Sequence, residues 1–152
     1  MAESVSADKI KTLVGKDNGT SEWVLIDQER INRFADATDD HQWIHVDIEK
    51  AKKGPFGGPI GHGFLTLSLI PIFSKSAKYM PEGSKMSVNY GLNKVRFINP
   101  VPVGSRVRSK MVISAVEEKG AGRLLMTVTH TIEIEGQEKP ACIAESLGML
   151  FF

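Results

Sequence analysis

The sequence has almost no cysteine: one residue, Cys142, in 152. One thiol closes no internal disulfide and builds no cysteine-based metal centre by itself. It lies in an alternating apolar stretch, Ala141-Cys142-Ile143-Ala144, and reads as a small buried hydrophobe rather than a nucleophile. A lone free thiol fits a reducing compartment, so a cytoplasmic setting is expected. The chain also lacks an excess of either charge. Nineteen Lys and Arg stand against 18 Asp and Glu, a net charge of +1. That balance gives no sign of a nucleic-acid or membrane partner, and only local basic clusters can matter. Long apolar runs are missing too. The most apolar stretch, Phe64 to Phe73, is far short of the ~20 residues that cross a bilayer and suits a buried helix. The start, Met1-Ala2-Glu3-Ser4-Val5, has neither the basic residues nor the apolar run of a secretion signal. Repeats and linker-like tracts are absent, which predicts a single domain over residues 1–152.

What is present is an ordinary globular composition, 41% apolar and 24% charged, enough to bury a core without staples. Ser6 to Val14 reads as a short amphipathic helix, capped by Ser6 and ended by Gly15. Gly19 to Ile26 reads as a strand. Asp27 is a good N-cap for a helix that places Ile31, Phe34 and Ala35 on one face. Regular periodicity fails from Thr38 to His45, and Asp47 can cap a brief helix through Lys53. Gly54 to Pro59 holds three glycines and two prolines and must be a loop. The helix from Phe64 to Ile70 is apolar almost all round, so it is expected to be buried on most sides, with Pro71 kinking or ending it. The second half reads as sheet: Met86 to Ile98, Ser105 to Glu117, Arg123 to Glu135, and Pro140 to Phe152. The fold class is therefore α+β, with a sheet wrapped around an apolar helix.

Three of the four histidines, His41, His45 and His62, fall in the two least regular stretches. Loops of that kind let side chains converge on a ligand. Asp40 and His45 are five positions apart, so a turn can bring carboxylate and imidazole onto one water as general acid and base. Pro59-Ile60-Gly61-His62-Gly63 leads into the apolar helix, whose first amides have no partner within the helix. A carbonyl oxygen gaining negative charge can dock on such an amide, and Gly63 lets the backbone approach closely. His62 reads as an ordinary loop histidine or a supporting partner. His130 alternates with apolar neighbours and reads as structural.

The stretch Asp40-His41-Gln42-Trp43-Ile44-His45-Val46-Asp47, then Gly57-Gly58-Pro59-Ile60-Gly61-His62-Gly63, resembles the MaoC-like (R)-specific enoyl-CoA hydratases. Asn89 to Phe97 with Pro100-Val101-Pro102-Val103-Gly104 is similar to the same family, and the likeness runs from about Trp23 to the end. The family pattern resembles G-D-x-N-P-[LIV]-H. This chain departs from it at Asp39, Gln42 and Trp43 and keeps Asp40 and His45. The Gln-Trp-Ile-His form resembles the nodulation-protein-N-like subgroup.

The resemblance implies a single hot-dog fold, an antiparallel sheet wrapped around a long helix, and a homodimer with the site near the interface. It implies reversible syn hydration of a trans-2-enoyl-CoA to an (R)-3-hydroxyacyl-CoA. Asp40 and His45 would handle the proton, and the Gly63 amide would polarise the thioester. No metal or redox cofactor is implied; coenzyme A enters as part of the substrate, and an acyl-carrier-protein thioester can replace it. His62, Gln42, Trp43, Phe56, Asn89, Lys94 and Arg96 are the candidate substrate contacts, the last two for the phosphates of CoA. Two other readings stay open: a hot-dog acyl-CoA thioesterase, and a non-enzymatic protein that binds acyl thioesters.

Overall fold

The computed structural model describes residues 2–152. A short strand, β1 (Glu3–Val5), leads into α1 (Ala7–Thr12), where the Ser6 hydroxyl accepts the Lys9 amide as the sequence predicts. The single strand expected from Gly19 to Ile26 is instead two, β2 (Asp17–Thr20) and β3 (Val24–Ile26). α2 (Gln28–Thr38) starts at Asp27, whose carboxylate accepts the Arg30 amide. Regularity does not fail where expected. α2 continues through Thr38, and α3 (Trp43–Val46) forms after a gap of four residues. Asp47 caps α4 (Ile48–Lys52), and the chain then passes through the glycine–proline loop.

The apolar helix is not one long helix. It is α5 (Gly63–Ser68) and α6 (Ile70–Phe73), joined at Leu69 and followed by a short 3-10 turn. Pro71 sits in the first turn of α6, where its missing N–H leaves no bond unmade. Nor is this helical segment buried on most sides. Leu65, Leu69, Ile70 and Phe73 are buried, but Phe64 is 69% exposed and Ile72 is 46% exposed.

β4 (Tyr79–Pro81) pairs with β1 in parallel. The rest of the chain is β5 (Met86–Phe97), β6 (Ser105–Glu118), β7 (Arg123–Ile134) and β8 (Cys142–Phe151). These strands form an antiparallel sheet in the order β2-β6-β7-β8-β5, with β3 also on β6. Ser21 bridges the gap between β2 and β3. Its amide and its hydroxyl both bond to Ser109 of β6, so the chain stays anchored through the interruption.

Alternation along β7 puts Leu124, Met126, His130, Ile132 and Ile134 on one buried face, as the period of two requires. At one end of that face, Ile132 and Ile134 pack with Leu65, Leu69, Ile70 and Phe73. At the other end, Leu124 and Met126 pack with Ile10 of α1 and Val5 of β1. A sheet folded over α5 and α6 is the hot-dog arrangement that the resemblance implies. Cys142 is fully buried, and burial pushes its thiol up to about 11, as suits a packing residue.

The sheet ends on β5, which pairs only with β8 and carries exposed Met86, Val88, Tyr90 and Leu92. Among the described residues no helix is long and apolar enough to cross a membrane.

Candidate active site

His45 sits in α3 and is 6% exposed. Its Nδ1–H donates to the Ile60 carbonyl at 2.7 Å. A carbonyl only accepts, so the proton is on Nδ1 and the Nε2 lone pair is left for chemistry. Burial holds the imidazole below its ordinary pKa of 6.5, and the nearby His62 adds to this against the Ile60 carbonyl and Asp40. The ring is therefore kept as a base at neutral pH.

Two segments far apart in sequence are tied together here. The Ile60 amide bonds to the Ile44 carbonyl, and the Gly61 amide bonds to the Val101 carbonyl. His62, 2% exposed, stacks on His45 with ring centroids 3.8 Å apart and planes 24° from parallel. The Asp40 side chain is about half exposed and stands over the pair. One polar side-chain atom of each of Asp40, His45 and His62 lies within 4.8 Å of the other two. Groups at that separation can hold one water between them at hydrogen-bond distances of ~2.8 Å.

The same three side chains stand close enough together to share an ion. Each imidazole spends one nitrogen on a main-chain carbonyl.

His45 and Gly63 line the same cavity of about 290 Å³, closed by Phe97, Asn99 and Val101. A Cβ on Gly63 would come within 3.1–3.2 Å of the Phe97 ring, so a side chain there would displace the aromatic wall. One imidazole and the glycine that opens α5 thus line one cavity, with the Asp40 carboxylate beside the imidazole but outside that lining.

Residues 9–135 match the MaoC like domain family. The chain belongs to that family. It is 53% identical over 142 residues to the 3-hydroxyacyl-thioester dehydratase Z of Mycobacterium tuberculosis (strain ATCC 25618 / H37Rv), covering 93% of each chain. It is 44% identical over 149 residues to Nodulation protein N of Rhizobium meliloti (strain 1021), covering 97% of this chain and 92% of the other. Its fold is also that of an (R)-hydratase from A. caviae involved in PHA biosynthesis, with a TM-score of 0.70 at 23% identity over 88% of this chain and 95% of that one.

The departures from the MaoC-like pattern have local physical accounts. Asp39, where the pattern has glycine, ends α2 with φ 59° and ψ 17°. That left-handed conformation explains the family's glycine, and Asp is among the few other residues that tolerate it. Gln42 is exposed; its carbonyl accepts the His45 amide, and its own amide reaches the Asp40 carboxylate at 3.4 Å. Trp43 is half-buried beneath the Lys50 ammonium, and its ring lies against Gly54, where a Cβ would come within 2.9 Å. Trp43 thus fixes the loop after α4.

The other sequence candidates do not line the small cavity. Asn89 lines a second, larger cavity of about 610 Å³, bounded by Phe34, Phe64, Leu67 and Tyr90. Gln42, Trp43, Phe56, Lys94 and Arg96 line neither of these two cavities. Phe56 is exposed, and Arg96 donates to the neighbouring Val95 carbonyl on β5. The structure adds Thr66, Phe97 and Asn99 to the small cavity. Thr66 lies three residues after Gly63 on the same helix, so helical spacing could have shown it. Phe97 and Asn99 reach the site through strand pairing, which local sequence does not reveal.

Proposed function

We propose that this MaoC-like protein is an (R)-specific enoyl-CoA hydratase that also runs in reverse as a 3-hydroxyacyl-thioester dehydratase. The observation that carries this reading is His45, whose Nε2 is left free by the bond to Ile60 and which stands near Asp40 and lines a cavity together with Gly63. The relative named as a 3-hydroxyacyl-thioester dehydratase supports it over nearly the whole chain.

Bound with its β-carbon over the dyad, an enoyl thioester is attacked by the shared water. His45 takes a proton from that water as its oxygen bonds to the β-carbon. Negative charge moves to the thioester oxygen, where the Gly63 N–H stabilises it; one such donor is worth about 2.7–4 kcal/mol. The proton is returned through Asp40 to the α-carbon. One water supplies both hydroxyl and hydrogen, so addition falls on one face of the double bond. Every step uses groups of this chain, with coenzyme A, or the equivalent arm of an acyl-carrier protein, entering as part of the substrate.

A second copy of the chain completes the molecule. β5 is a twelve-residue edge strand with exposed apolar side chains, and such an edge calls for a partner. A homodimer through β5 would roof the larger cavity beside Tyr90 and Leu92. The setting that fits this chemistry and the buried thiol is the cytoplasm.

The test is hydration of crotonyl-CoA and longer trans-2-enoyl-CoAs, followed by loss of the conjugated absorbance and chiral analysis. An (R)-3-hydroxyacyl product supports the reading. Release of free CoA with the enoyl absorbance unchanged would replace it with a thioesterase. No reaction on CoA or carrier-protein thioesters would leave a binding role.

A further inference from the structure

His62 lines neither of the two cavities described, yet it touches both members of the dyad. Its Nε2–H donates to the Asp40 main-chain carbonyl at 3.0 Å. The Asp40 carboxylate oxygen is 4.0 Å from the same nitrogen, beyond a hydrogen bond, so His62 holds the main chain of Asp40 and not its carboxylate. One face of the His62 ring stacks on His45, and the Phe34 ring closes on it with a centroid distance of 4.9 Å. The His62 carbonyl accepts the Thr66 amide and so starts α5 behind Gly63.

The other ring nitrogen, Nδ1, is buried with no hydrogen-bond partner. An orphaned buried polar atom costs about 1–3 kcal/mol, and a phenylalanine would fill the same space without it. A residue kept at that cost for packing alone is poorly accounted for. The donor on Nε2 accounts for it, because no apolar ring can hold Asp40.

We infer that His62 is a positioning residue: it braces the Asp40 turn through its main-chain carbonyl and the His45 ring by stacking, and so fixes the spacing of the two catalytic groups. This rests on the hydratase reading above. It also replaces the direct substrate contact that the sequence suggested for His62.

The test pairs two variants with a measurement on the unaltered protein. His62→Phe keeps a stacking ring and loses the donor, so kcat on an accepted enoyl-CoA should fall roughly 10- to 100-fold, with KM within about threefold, as expected when reacting groups are misplaced. His62→Gln restores an N–H at similar reach and should recover at least about threefold of that loss. A raised KM at unchanged kcat would make His62 a substrate contact and overturn the inference. Unchanged kcat in both variants would overturn it as well.

Nitrogen-15 NMR of the wild-type imidazoles decides independently of turnover and of variant folding. The proton of His62 must reside on Nε2; a proton on Nδ1 with Nε2 bare overturns the brace. In a folded His62 variant the Asp40 carbonyl carbon-13 signal must move, and a fixed signal overturns the brace too. If the wild type hydrates no enoyl thioester, the hydratase reading falls, while the NMR arm still rules on His62.

Discussion

Phe64 and Phe97 meet edge to face with ring centroids 5.8 Å apart, and one ring lines each of the two cavities. Their contact is part of the wall between the small cavity beside His45 and the larger apolar one. The smaller cavity is at the low end for ligand sites, so on the hydratase reading a long acyl chain would have to pass this wall. Each buried methylene is worth about 0.8 kcal/mol, so a few more in contact change kcat/KM strongly. Phe64→Ala should raise the ratio of dodecenoyl to crotonyl kcat/KM at least ~10-fold by that arithmetic. An unchanged chain-length profile would show that the wall does not limit the substrate.

Asp40→Asn and His45→Gln should each lower hydration at least ~100-fold while the circular dichroism spectrum is kept, because each removes an acid–base group. The pH profile carries a sign. Burial lowers the His45 pKa, so its base form persists below 6.5 and activity should fall only on the acid side of that value. An acid limb centred above 6.5 would contradict the assignment.

His130 predicts acid sensitivity of the fold. It is fully buried on β7, and burial lowers its pKa from 6.5 to about 4. The unfolded chain therefore binds the proton more readily, and stability is lost as pH falls from 6.5 toward 4. The full loss is on the order of 3 kcal/mol, reached below pH 4. Urea unfolding of wild type and His130→Gln at several pH values isolates the effect. The stability difference between them should change in favour of the variant as pH falls, and a constant difference would remove His130 as the cause.

The left-handed Asp39 predicts opposite effects for two substitutions. Asp39→Gly should be neutral or stabilising, whereas Asp39→Val should cost roughly 1–2 kcal/mol because a branched side chain resists that conformation. Thermal unfolding of both variants checks this, and an unaffected Asp39→Val would show that the turn relaxes.

Association through β5 predicts that the wild type sediments at twice the chain mass. Tyr90→Lys with Leu92→Lys should shift it toward the single-chain mass, because two charges on a covered apolar edge are costly. A dimer that persists in this variant would place the interface elsewhere.

Much of this was readable in the residues. Ser6, Asp27 and Asp47 announce their helices because capping is local, and β7 shows itself by strict alternation. The motifs single out Asp40, His45 and Gly63, and the fold brings Asp40 close to His45 and sets His45 and Gly63 on one cavity. What escaped depends on distant contacts. The β1–β4 pair joins residues more than seventy positions apart through strands too short to alternate. The split at Ser21 is set by Ser109, and the bracing place of His62 is set by Asp40 and His45. Phe97 and Asn99 enter the site only because β5 and the segment after it lie beside Gly63.

Every bond that joins the two motifs ends on a peptide carbonyl: the Ile60 amide on Ile44, the His45 imidazole on Ile60, the His62 imidazole on Asp40. Every amino acid brings the same carbonyl, and all but proline the same N–H. The peptide half of that wiring is indifferent to spelling, and only the two imidazoles are tied to their letters. Lineages can rewrite the letters around Asp40 and His45, as this chain has at Asp39, Gln42 and Trp43, while the reacting atoms stay in place. Relatedness in this group should therefore be judged by the path of the main chain and by the few side chains whose atoms are irreplaceable, more than by agreement with any written motif.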